Sequence, residues 1–528
     1  MFYRRAMTLQ ASSATDSRSL IVNHFEMKQS LVFLFSIGVS IAALCAEKSS
    51  NGILAKGTKW ETPFHQRDSG QPGPVVVLTG GLHGNEPAGA AAAEQIRHWP
   101  ITRGRLIVIP RANLLGLRDG TRFLPGEPLQ LRDLNRQFPK TKNAPDARGV
   151  LATALWRFVG EQKPDWVIDL HEGFDFNQLN LKSVGSTIID AKGRAADIVV
   201  PLMLHAVNTE ITDPKKKLIR LRYPVDGSLA RAAHERLGAS AMILETTSKS
   251  QPLSLRARQH RLMVDALLKH LQMTAGSPHV LVPEKKDSLC VAVYDAGGVG
   301  SNGLRNLDQI LRGMKHVLVR RVGARDIRDG VLSRFDITIF PGGSGSKQAS
   351  ALESNGRAAV QQFVKRGGGY LGICAGSYLA AANYEWSLGI SNHRTFCKTI
   401  DLPQLGRKSM WYRGSSTTVK MELTETGREI LGNKKGILDV RYHNGPIMSP
   451  MSIEGVSDFL TLANFRSEVS MYERQKGTMI NTPAIIACEF GGGRVMCISP
   501  HPESTKALHT LLQNAIRWTA RMDGERYK

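Results

Sequence analysis

The sequence predicts an α/β protein of two domains, each a mostly parallel sheet with helices on both faces. A chain of 528 residues is too long for one ordinary hydrophobic core. Short runs that are apolar throughout alternate with helix-like segments, and glycine clusters end many of these runs. Strands that are apolar on both faces need helical cover on both sides of the sheet.

The first domain is predicted over residues 50–273. Its strands are expected at four apolar runs and its helices at segments with helical periodicity. The expected strands are Val75–Leu78, Leu106–Pro110, Trp166–Leu170 and Ala241–Leu244, and the expected helices include Ala88–His98, Leu151–Val159 and Arg261–Leu271.

A linker rich in Pro, Ser and Lys is predicted over residues 274–288, and a second α/β domain over residues 289–528. Four apolar runs in this half predict buried strands, with helices between them. They are Leu289–Tyr294, His316–Val319, Ile337–Phe340 and Tyr370–Ile373.

Residues 1–46 are predicted to be a leader with a secretory signal peptide whose true start is Met27. Lys28 precedes an apolar run over Leu31–Leu44, and Ala46 offers a small residue before a polar stretch. The run is short for a membrane span. We therefore expect an exported protein, periplasmic or secreted, with no stable membrane span after cleavage. An uncleaved N-terminal anchor is the alternative.

The composition indicates a soluble globular chain with a basic surface. Hydrophobic residues make up 42% and charged residues 22%, and 69 Lys+Arg against 46 Asp+Glu leave a formal charge of +23. The excess favours an anionic partner, although a diffusely basic surface without one explains it equally. Because neither zinc-finger spacing nor an aromatic-interleaved basic patch is present, no nucleic-acid partner is expected.

Histidine and acidic side chains follow three of the predicted strands. GGLHGNEPAG carries His83 and Glu86, and DWVIDLHEG carries His171. Two imidazoles and one carboxylate leave a fourth position for water, which is typical of a catalytic zinc site. Glu245 ends the apolar run of AMILETT, where a charge is costly unless it has a partner or a function. Beside zinc-bound water it would act as a general base.

LRDLNRQFP adds Asn135 and Arg136. A guanidinium pairs bidentately with a carboxylate, so Arg136 suits a substrate with a free acid group. Taken singly, each of these residues has an ordinary structural explanation, such as a loop histidine, a buried ion pair or a helix cap. Their joint occurrence at the carboxyl edge of one sheet favours a ligand site.

These stretches, in this order, resemble the zinc carboxypeptidase family, most closely its succinylglutamate desuccinylase/aspartoacylase branch and more distantly its murein peptide amidases. The resemblance covers the first domain. It implies Zn²⁺ bound by His83, Glu86 and His171, a substrate carboxylate held by Asn135 and Arg136, and Glu245 as the base.

The same resemblance implies an upstream arginine that polarises the scissile carbonyl. GLRDGTRF offers Arg118 and Arg122, and Arg118 is preferred from its spacing to Ala112. The expected activity is hydrolysis of an amide bond in an N-acyl amino acid or a peptide, including a cell-wall peptide, that bears a free carboxylate. The alternative is a protein that retains its pockets to bind an envelope polymer or peptide without catalysis.

GYLGICAGSYLA in the second domain has the form G-x-nucleophile-x-G around Cys374. Flanking glycines allow a sharp strand-to-helix turn that exposes the thiol. ISPHPES places His501 and Glu503 two residues apart, so that Glu503 could orient His501 and His501 could serve Cys374. Gly342 and Gly343 in FPGGSGS could present N–H groups to an oxyanion.

This half resembles class I glutamine amidotransferase domains, more closely the biotin-protein ligase N-terminal family. The resemblance implies a triad of Cys374, His501 and Glu503. No synthetase or biotin-ligase catalytic domain follows in this sequence, so neither ammonia transfer nor ligation is expected. A packed structural cysteine and a degenerate binding pocket remain alternatives. The cysteines lack the spacing of a disulfide framework.

Overall fold

The computed structural model describes residues 48–140, 146–274 and 288–522. The predicted signal peptide lies outside the described residues, as does all of the predicted linker except its two ends. Within the described ranges, no helix combines the length and the apolar character needed to cross a bilayer.

Eight strands form the first sheet, in the spatial order β1-β2-β4-β3-β5-β8-β6-β7. The central strands β4, β3, β5 and β8 are parallel, whereas β1, β2 and β6 join through antiparallel pairings. Each of the four predicted strands is present. The strands are β1 (Lys48–Leu54), β2 (Thr62–Asp68), β3 (Val75–Gly80), β4 (Arg105–Ile109), β5 (Trp166–Gly173), β6 (Thr187–Asp190), β7 (Ile219–Leu221) and β8 (Ser240–Thr247).

Helices cover both faces of this sheet because alternate residues of each central strand point to opposite sides. Val76 and Leu78 pack against α1, α4 and α6, whereas Val77 packs against α3 and α5. The helices are α1 (Pro87–Ile96), α2 (Leu114–Asp119), α3 (Val150–Glu161), α4 (Arg194–Asn208), α5 (Leu229–Leu237) and α6 (Leu253–His270).

The second sheet has nine strands in the order β10-β9-β11-β12-β21-β20-β19-β16-β17, and only its first five are parallel. The α/β class is confirmed for both halves of the chain, but the antiparallel second half of this sheet was not anticipated. The strands of this region are β9 (Leu289–Tyr294), β10 (Val317–Val322), β11 (Ile337–Phe340), β12 (Gly369–Ile373), β13 (His393–Thr395), β14 (Thr399–Leu402), β15 (Gly406–Ser409), β16 (Thr417–Leu423), β17 (Ile437–Tyr442), β18 (Met448–Pro450), β19 (Leu460–Phe465), β20 (Pro483–Phe490) and β21 (Gly493–Ile498).

Two apolar clusters lie on the two faces of the second sheet. One includes residues of α7, α11 and α12, and the other includes residues of α8, α9 and α10. The helices are α7 (Ser301–Arg312), α8 (Ala324–Arg328), α9 (Gly345–Lys365), α10 (Ala375–Ala380), α11 (Glu425–Leu431) and α12 (His509–Thr519). The five cysteines of this region are all free.

Buried ion pairs join the two regions. Asp326 of α8 accepts hydrogen bonds from Arg258 at 3.0 Å and from Arg261 at 2.6 Å, and both arginines belong to α6. Ser254, also in α6, donates its N–H to Asp295 at 3.1 Å. Arg261 and Asp326 are each only 1% exposed. Charges this deep are stable only as pairs, so α6 serves both halves of the chain.

Candidate metal centre and cysteine site

The loop from β3 to α1 carries His83 and Glu86 and is tight because of its glycines. Gly81 adopts a φ of +69°, and a Cβ at Gly84 would lie 2.0 Å from the carbonyl carbon of Gly116. A side chain at either position would disturb the loop. Pro87 then begins α1 with the fixed φ that a first helical turn accepts.

His171 and Glu245 lie beside each other at the carboxyl ends of neighbouring parallel strands. They face each other in the register of β5 and β8, and each stands two residues before the end of its strand. Both side chains are buried. Strand ends and the β3–α1 loop meet at this edge, which is where open α/β sheets bind ligands.

The structure brings His83, Glu86 and His171 together. His83 Nδ1 lies 2.8 Å from Glu86 Oε1, and His171 Nδ1 lies 2.7 Å from Glu86 Oε2. One ligand atom from each residue falls within 4.8 Å of the others. Both Nδ1 atoms thus point to the same carboxylate, as they would around a shared cation.

The other nitrogen of each imidazole contacts a second carboxylate. His83 Nε2 lies 3.1 Å from Asp133 Oδ1, and His171 Nε2 lies 2.8 Å from Asp169 Oδ2. A carboxylate at Nε2 fixes the proton there and leaves the Nδ1 lone pair for a metal. Although burial opposes the charge, Asp169 and Glu86 raise the pKa of His171 well above its usual value.

Glu245 has the environment of a proton acceptor. It lines a cavity of about 420 Å³ together with the three convergent residues, and its Oε2 is buried with no hydrogen-bond partner among the described residues. Burial raises its pKa to about 8; nearby Glu86 adds to this, whereas His171 opposes it. A buried carboxylate oxygen without a hydrogen-bond partner costs free energy unless a ligand in the cavity pairs with it.

The structure does not bring Arg118 into this site, contrary to the sequence prediction. Arg118 lies on the last turn of α2, is largely exposed and pairs with Asp119 at 2.7 Å. Arg122, four residues on, lines the cavity and donates Nη1 to Glu86 Oε1 at 2.9 Å. Position in the cavity, and not spacing from the preceding strand, therefore favours Arg122 as the arginine that contacts a substrate carbonyl.

Asn135 and Arg136 both line the cavity. Asn135 Oδ1 accepts the N–H of Leu229 at 2.9 Å, while its Nδ2 lies 3.1 Å from His171 Nε2. Arg136 Nη1 donates to the carbonyl of Asn135 at 2.8 Å. In the described part of the chain Arg136 forms no ion pair, so its guanidinium is available to an acidic ligand.

Four residues of the site were not identified from the sequence. Asp133 and Asp169 could have been found, because each stands two residues before a site residue: Asp133 before Asn135, and Asp169 before His171 on the same face of β5. Lys182 and Tyr223 also line the cavity. They come from loops far along the chain, and no local pattern marks them.

The donor set fits a divalent metal of zinc type. Two imidazole nitrogens and one carboxylate, each imidazole oriented by a second carboxylate, match a three-ligand catalytic zinc site, and the imidazoles would lose any extra proton on binding the metal. Glu86 holds its charge because His83 and His171 lower its pKa, although burial acts in the opposite direction. A cation at this point would offset the buried carboxylates of Glu86 and Glu245.

Cys374 lies at a sharp turn between β12 and α10. Its backbone has φ of 50° and ψ of −98°, a strained conformation for a residue with a side chain. The flanking glycines are required, because a Cβ at Gly372 would lie 2.5 Å from Gly376 C and one at Gly376 would lie 2.2 Å from Phe340 O. This geometry is that of a nucleophile held on a strand-to-helix turn. The predicted exposure of the thiol is wrong, because Cys374 is only 5% exposed.

His501 and Glu503 form the pair that their spacing predicted. His501 Nδ1 lies 2.7 Å from Glu503 Oε1, and both side chains are buried. Burial alone would lower the pKa of His501, but Cys374 and Glu503 together raise it to about 10. Its Nε2 is buried and has no hydrogen-bond partner in the described ranges. The imidazole thus stays protonated at neutral pH beside the thiol.

Gly342 packs directly against this pair. A Cβ at Gly342 would lie 2.7 Å from His501 Cε1 and 3.6 Å from Cys374 Cβ. Gly343 adopts a φ of +144°. The structure therefore brings Cys374, His501, Glu503 and Gly342 together. His443, which the sequence did not single out, is also near, since its carbonyl oxygen lies 3.6 Å from Cys374 Sγ.

Each half of the chain matches a protein-family model. Residues 72–271 match the profile described as succinylglutamate desuccinylase/aspartoacylase catalytic domain, and residues 289–522 match biotin-protein ligase, N terminal. The recognition of both families from their motifs is confirmed. The first domain is accordingly homologous to hydrolases that act on amide C–N bonds.

Individual relatives are distant. A biotin–protein ligase of Schizosaccharomyces pombe is 25% identical over 168 residues, which are 32% of this chain and 25% of the ligase, so the chain spans a quarter of that relative's length. A solved aspartoacylase family protein of Mesorhizobium loti is 22% identical, with a TM-score of 0.31 over 44% of this chain and 70% of that one. A succinylglutamate desuccinylase/aspartoacylase of Rhodobacter sphaeroides is 18% identical, with a TM-score of 0.32 over 45% and 69%.

Proposed function

We propose that the first domain is a zinc-dependent hydrolase that cleaves an amide bond in an N-acyl amino acid or peptide bearing a free carboxylate. The observation that carries the proposal is the convergence of two imidazole Nδ1 atoms on Glu86, with each Nε2 held by a carboxylate. Glu245 and Arg136 line the same cavity. These residues would supply a metal site, a base and a carboxylate receptor in one cavity.

Glu245 is the proton carrier in this scheme. Zn²⁺, when bound, acts as a Lewis acid and makes water a stronger acid. Glu245 Oε2 is buried and lacks a partner among the described residues, so it is suited to take a proton from the attacking water. As the C–O bond forms and the C–N bond breaks, the same oxygen returns that proton to the leaving nitrogen.

Two arginines position the substrate. Arg122 reaches into the cavity from the loop after α2 and contacts Glu86, so it can donate to the oxygen of the scissile carbonyl as negative charge develops there. Arg136 is free of ion pairs within the described ranges and can hold the substrate carboxylate. The roles of the two arginines predict a substrate with an acid group close to the scissile amide.

The decisive test is Glu245→Gln in the full-length protein. We expect stoichiometric zinc by elemental analysis, with kcat reduced by about 10²–10⁴-fold on N-acyl amino acids, because only proton transfer is removed. Glu161→Gln, on the exposed end of α3, is the matched control and should behave like the wild type. Substrates whose carboxylate is amidated should lose most of their kcat/KM. Full turnover by Glu245→Gln would rule out its role as the base.

A binding protein without catalysis is the competing function for the same cavity. It predicts tight binding of a carboxylated peptide or an anionic envelope polymer, no turnover, and zinc well below one equivalent. The same metal analysis and substrate screen, run with N-acyl amino acids and cell-wall peptides side by side, distinguishes the two functions.

We propose as a second function that Cys374, His501 and Glu503 form an amidase-type nucleophilic site. Support comes from the strained turn at Cys374 and the 2.7 Å contact between His501 and Glu503. Cys374 would attack an amide carbonyl as the thiolate, and protonated His501 would give its proton to the leaving nitrogen as the C–N bond breaks. The N–H groups of Gly342 and Gly343 would face the oxyanion, and water would then hydrolyse the thioester.

Alkylation tests this second function. All three of Cys374, Cys488 and Cys497 are buried, but iodoacetamide should modify Cys374 fastest because protonated His501 favours its thiolate. The modified protein should lose any amidase activity while keeping its zinc-dependent one. If alkylation of Cys374 changes no measurable activity, the nucleophile assignment fails.

We further propose export of the protein, on the strength of the leader that begins at Met27. Fractionation of expressing cells, with N-terminal sequencing of the mature chain, tests the cleavage. A chain recovered uncleaved in the membrane fraction would favour the anchored alternative.

A further inference from the structure

The metal cavity is charged on one side and apolar on the other. Strand β6 pairs with β8 beyond Glu245, and in that register Ile189 lies directly opposite Ile243. Ile243 precedes Glu245 by two residues and lies on the same face of β8. Both isoleucines line the cavity and are almost fully buried, with Ile189 at 9% and Ile243 at 3% exposure. The cavity wall beside the base is therefore apolar.

Three exposed apolar side chains continue this wall to the mouth of the cavity. Phe174, Val184 and Val225 line the cavity and are 61%, 42% and 44% exposed, respectively. Gly173 and Gly185 hold the first two at the same rim, because a Cβ at Gly173 would lie 2.1 Å from the backbone nitrogen of Gly185. Large apolar side chains left in water around a concave site indicate a surface that a ligand covers.

The segment that carries Val225 also packs against the proposed carboxylate receptor. A Cβ at Gly227 would lie 2.8 Å from the carbonyl oxygen of Arg136, and the carbonyl of Gly227 accepts the N–H of Phe138 at 3.1 Å. Val225 precedes Gly227 by two residues, so the apolar wall and Arg136 lie on the same side of the cavity. A side chain on the carbon that bears the substrate carboxylate is therefore within reach of the apolar wall.

We propose that this apolar wall is a specificity subsite, and that the amino acid bearing the free carboxylate has an apolar side chain of about leucine size. The inference rests on the proposed hydrolysis and names the substrate class for that site. The subsite consists of Phe174, Val184, Ile189, Val225 and Ile243. The cavity volume of about 420 Å³ accommodates an amino acid of this size together with its acyl group.

An acidic side chain would find no buried cation in this subsite. Among the described residues, the arginines and lysines that line the cavity are Arg122, Arg136 and Lys182. Arg122 contacts Glu86 and is assigned to the scissile carbonyl, and Arg136 is assigned to the substrate carboxylate. Lys182 is exposed, so water already solvates its ammonium group. A second carboxylate beside the isoleucines would lose its water without gaining a buried partner.

Side-chain preference is measured by calorimetric titration of the full-length Glu245→Gln variant with one equivalent of zinc added, because this variant should bind substrates without cleaving them. N-acetyl-leucine, N-acetyl-aspartate and N-acetyl-glycine have the same acyl group and the same free carboxylate, and they differ only in the side chain. We expect N-acetyl-leucine to bind at least about tenfold more tightly than either of the other two, because only its side chain buries apolar surface in the subsite.

Lysines placed in the subsite should reverse this preference. In the same Glu245→Gln protein, Val225→Lys should weaken binding of N-acetyl-leucine at least about tenfold and strengthen binding of N-acetyl-aspartate, because the new ammonium pairs with the second carboxylate. Val184→Lys, at the opposite rim, should act in the same direction. Both valines are partly in water, so neither change disturbs the core. Val150→Lys, on α3 at a position 54% exposed and outside the lining, is the matched control and should change neither affinity.

Three results would overturn the subsite. They are tighter binding of N-acetyl-aspartate that is lost in Lys182→Ala, equal effects of Val225→Lys and Val150→Lys, and no binding of N-acetyl-leucine. Hydrolysis by the wild type is measured separately, so the two proposals can fail independently. A leucine preference in binding without turnover would keep the subsite and reject the hydrolase, whereas turnover with aspartate preferred would keep the hydrolase and reject the subsite.

Discussion

The metal centre and the cysteine site are assembled in opposite ways. The metal centre collects side chains from two strand ends and one loop, and the buried Glu86 and Glu245 line the same cavity. In the cysteine site, His501 is already paired with Glu503 and packed against Gly342. The first arrangement offers three ligand atoms to a cation, whereas the second consists of side chains alone. Each site should therefore respond to a different perturbation.

His171→Ala should have the largest effect, because it removes a metal ligand and leaves the cysteine site unchanged. Metal-binding free energies of about 10–16 kcal/mol, spread over three ligands, imply a loss of about 10²–10⁴-fold in zinc affinity. Hydrolysis should vanish with it, while alkylation of Cys374 should proceed at the wild-type rate. Competition with a chelator measures the first effect and peptide mass spectrometry the second. Zinc retained at full affinity would mean that the metal lies elsewhere.

Replacement of Arg122 by alanine should have the next largest effect, and replacement of Arg118 is its control. Arg122→Ala should lower kcat/KM by about 10²–10³-fold through loss of a donor to the developing oxyanion. Arg118→Ala serves as its control, because Arg118 is exposed and paired with Asp119. Steady-state kinetics on one N-acyl amino acid compare the two. Equal losses of kcat/KM in the two variants would make Arg118 again a candidate for the arginine that polarises the scissile carbonyl.

The carboxylates behind the imidazoles should matter less than the ligands themselves. Asp133→Asn should weaken zinc binding by about 10–100-fold. An amide oxygen accepts the hydrogen bond from His83 Nε2 more weakly than a carboxylate does, so it orients the imidazole less firmly. Asp119→Asn, at the end of α2, should have no effect. The difference appears in zinc titrations of the purified variants. If the zinc affinity of Asp133→Asn is unchanged, the contact between Asp133 and His83 does not contribute to zinc binding.

The smallest expected effect concerns pH at the cysteine site. Because the pKa of His501 is raised to about 10, its positive charge is present through neutral pH and is lost only as pH rises through about 10. Glu503→Gln removes one cause of that rise, so the charge should be lost at lower pH. We expect Cys374 alkylation at pH 8 to slow by about tenfold in the variant. Half-buried Cys397 provides the internal reference, and identical pH profiles would contradict the assignment.

The sequence predicted the elements whose pattern is local. β9 and β11 begin and end at the residues expected from their apolar runs. Helix α6 is longer than expected, because it begins at Leu253 and the predicted helix began only at Arg261. The antiparallel half of the second sheet was missed, since its strands are separated by irregular loops.

In the candidate sites, too, the sequence predicted the residues whose positions depend on a local pattern. Residues fixed by a strand end or a glycine turn, such as His171 and Cys374, lie where the motifs predicted. Arg118 was wrongly preferred because spacing along the sequence does not show that it lies on α2 with its side chain in solvent, whereas Arg122 lies in the segment after α2 that enters the cavity. Lys182 and Tyr223 enter the cavity from loops whose paths are set by packing of the whole domain.

The buried contact between Arg261 and Asp326 has a consequence for handling the protein. Breaking such a pair by removing one partner costs about 3–5 kcal/mol, and separating the domains would strand both charges at once. Proteolysis between residues 274 and 288 should therefore yield two fragments that co-elute on gel filtration at low denaturant. If the two fragments elute separately, the covalent connection alone keeps the two domains together.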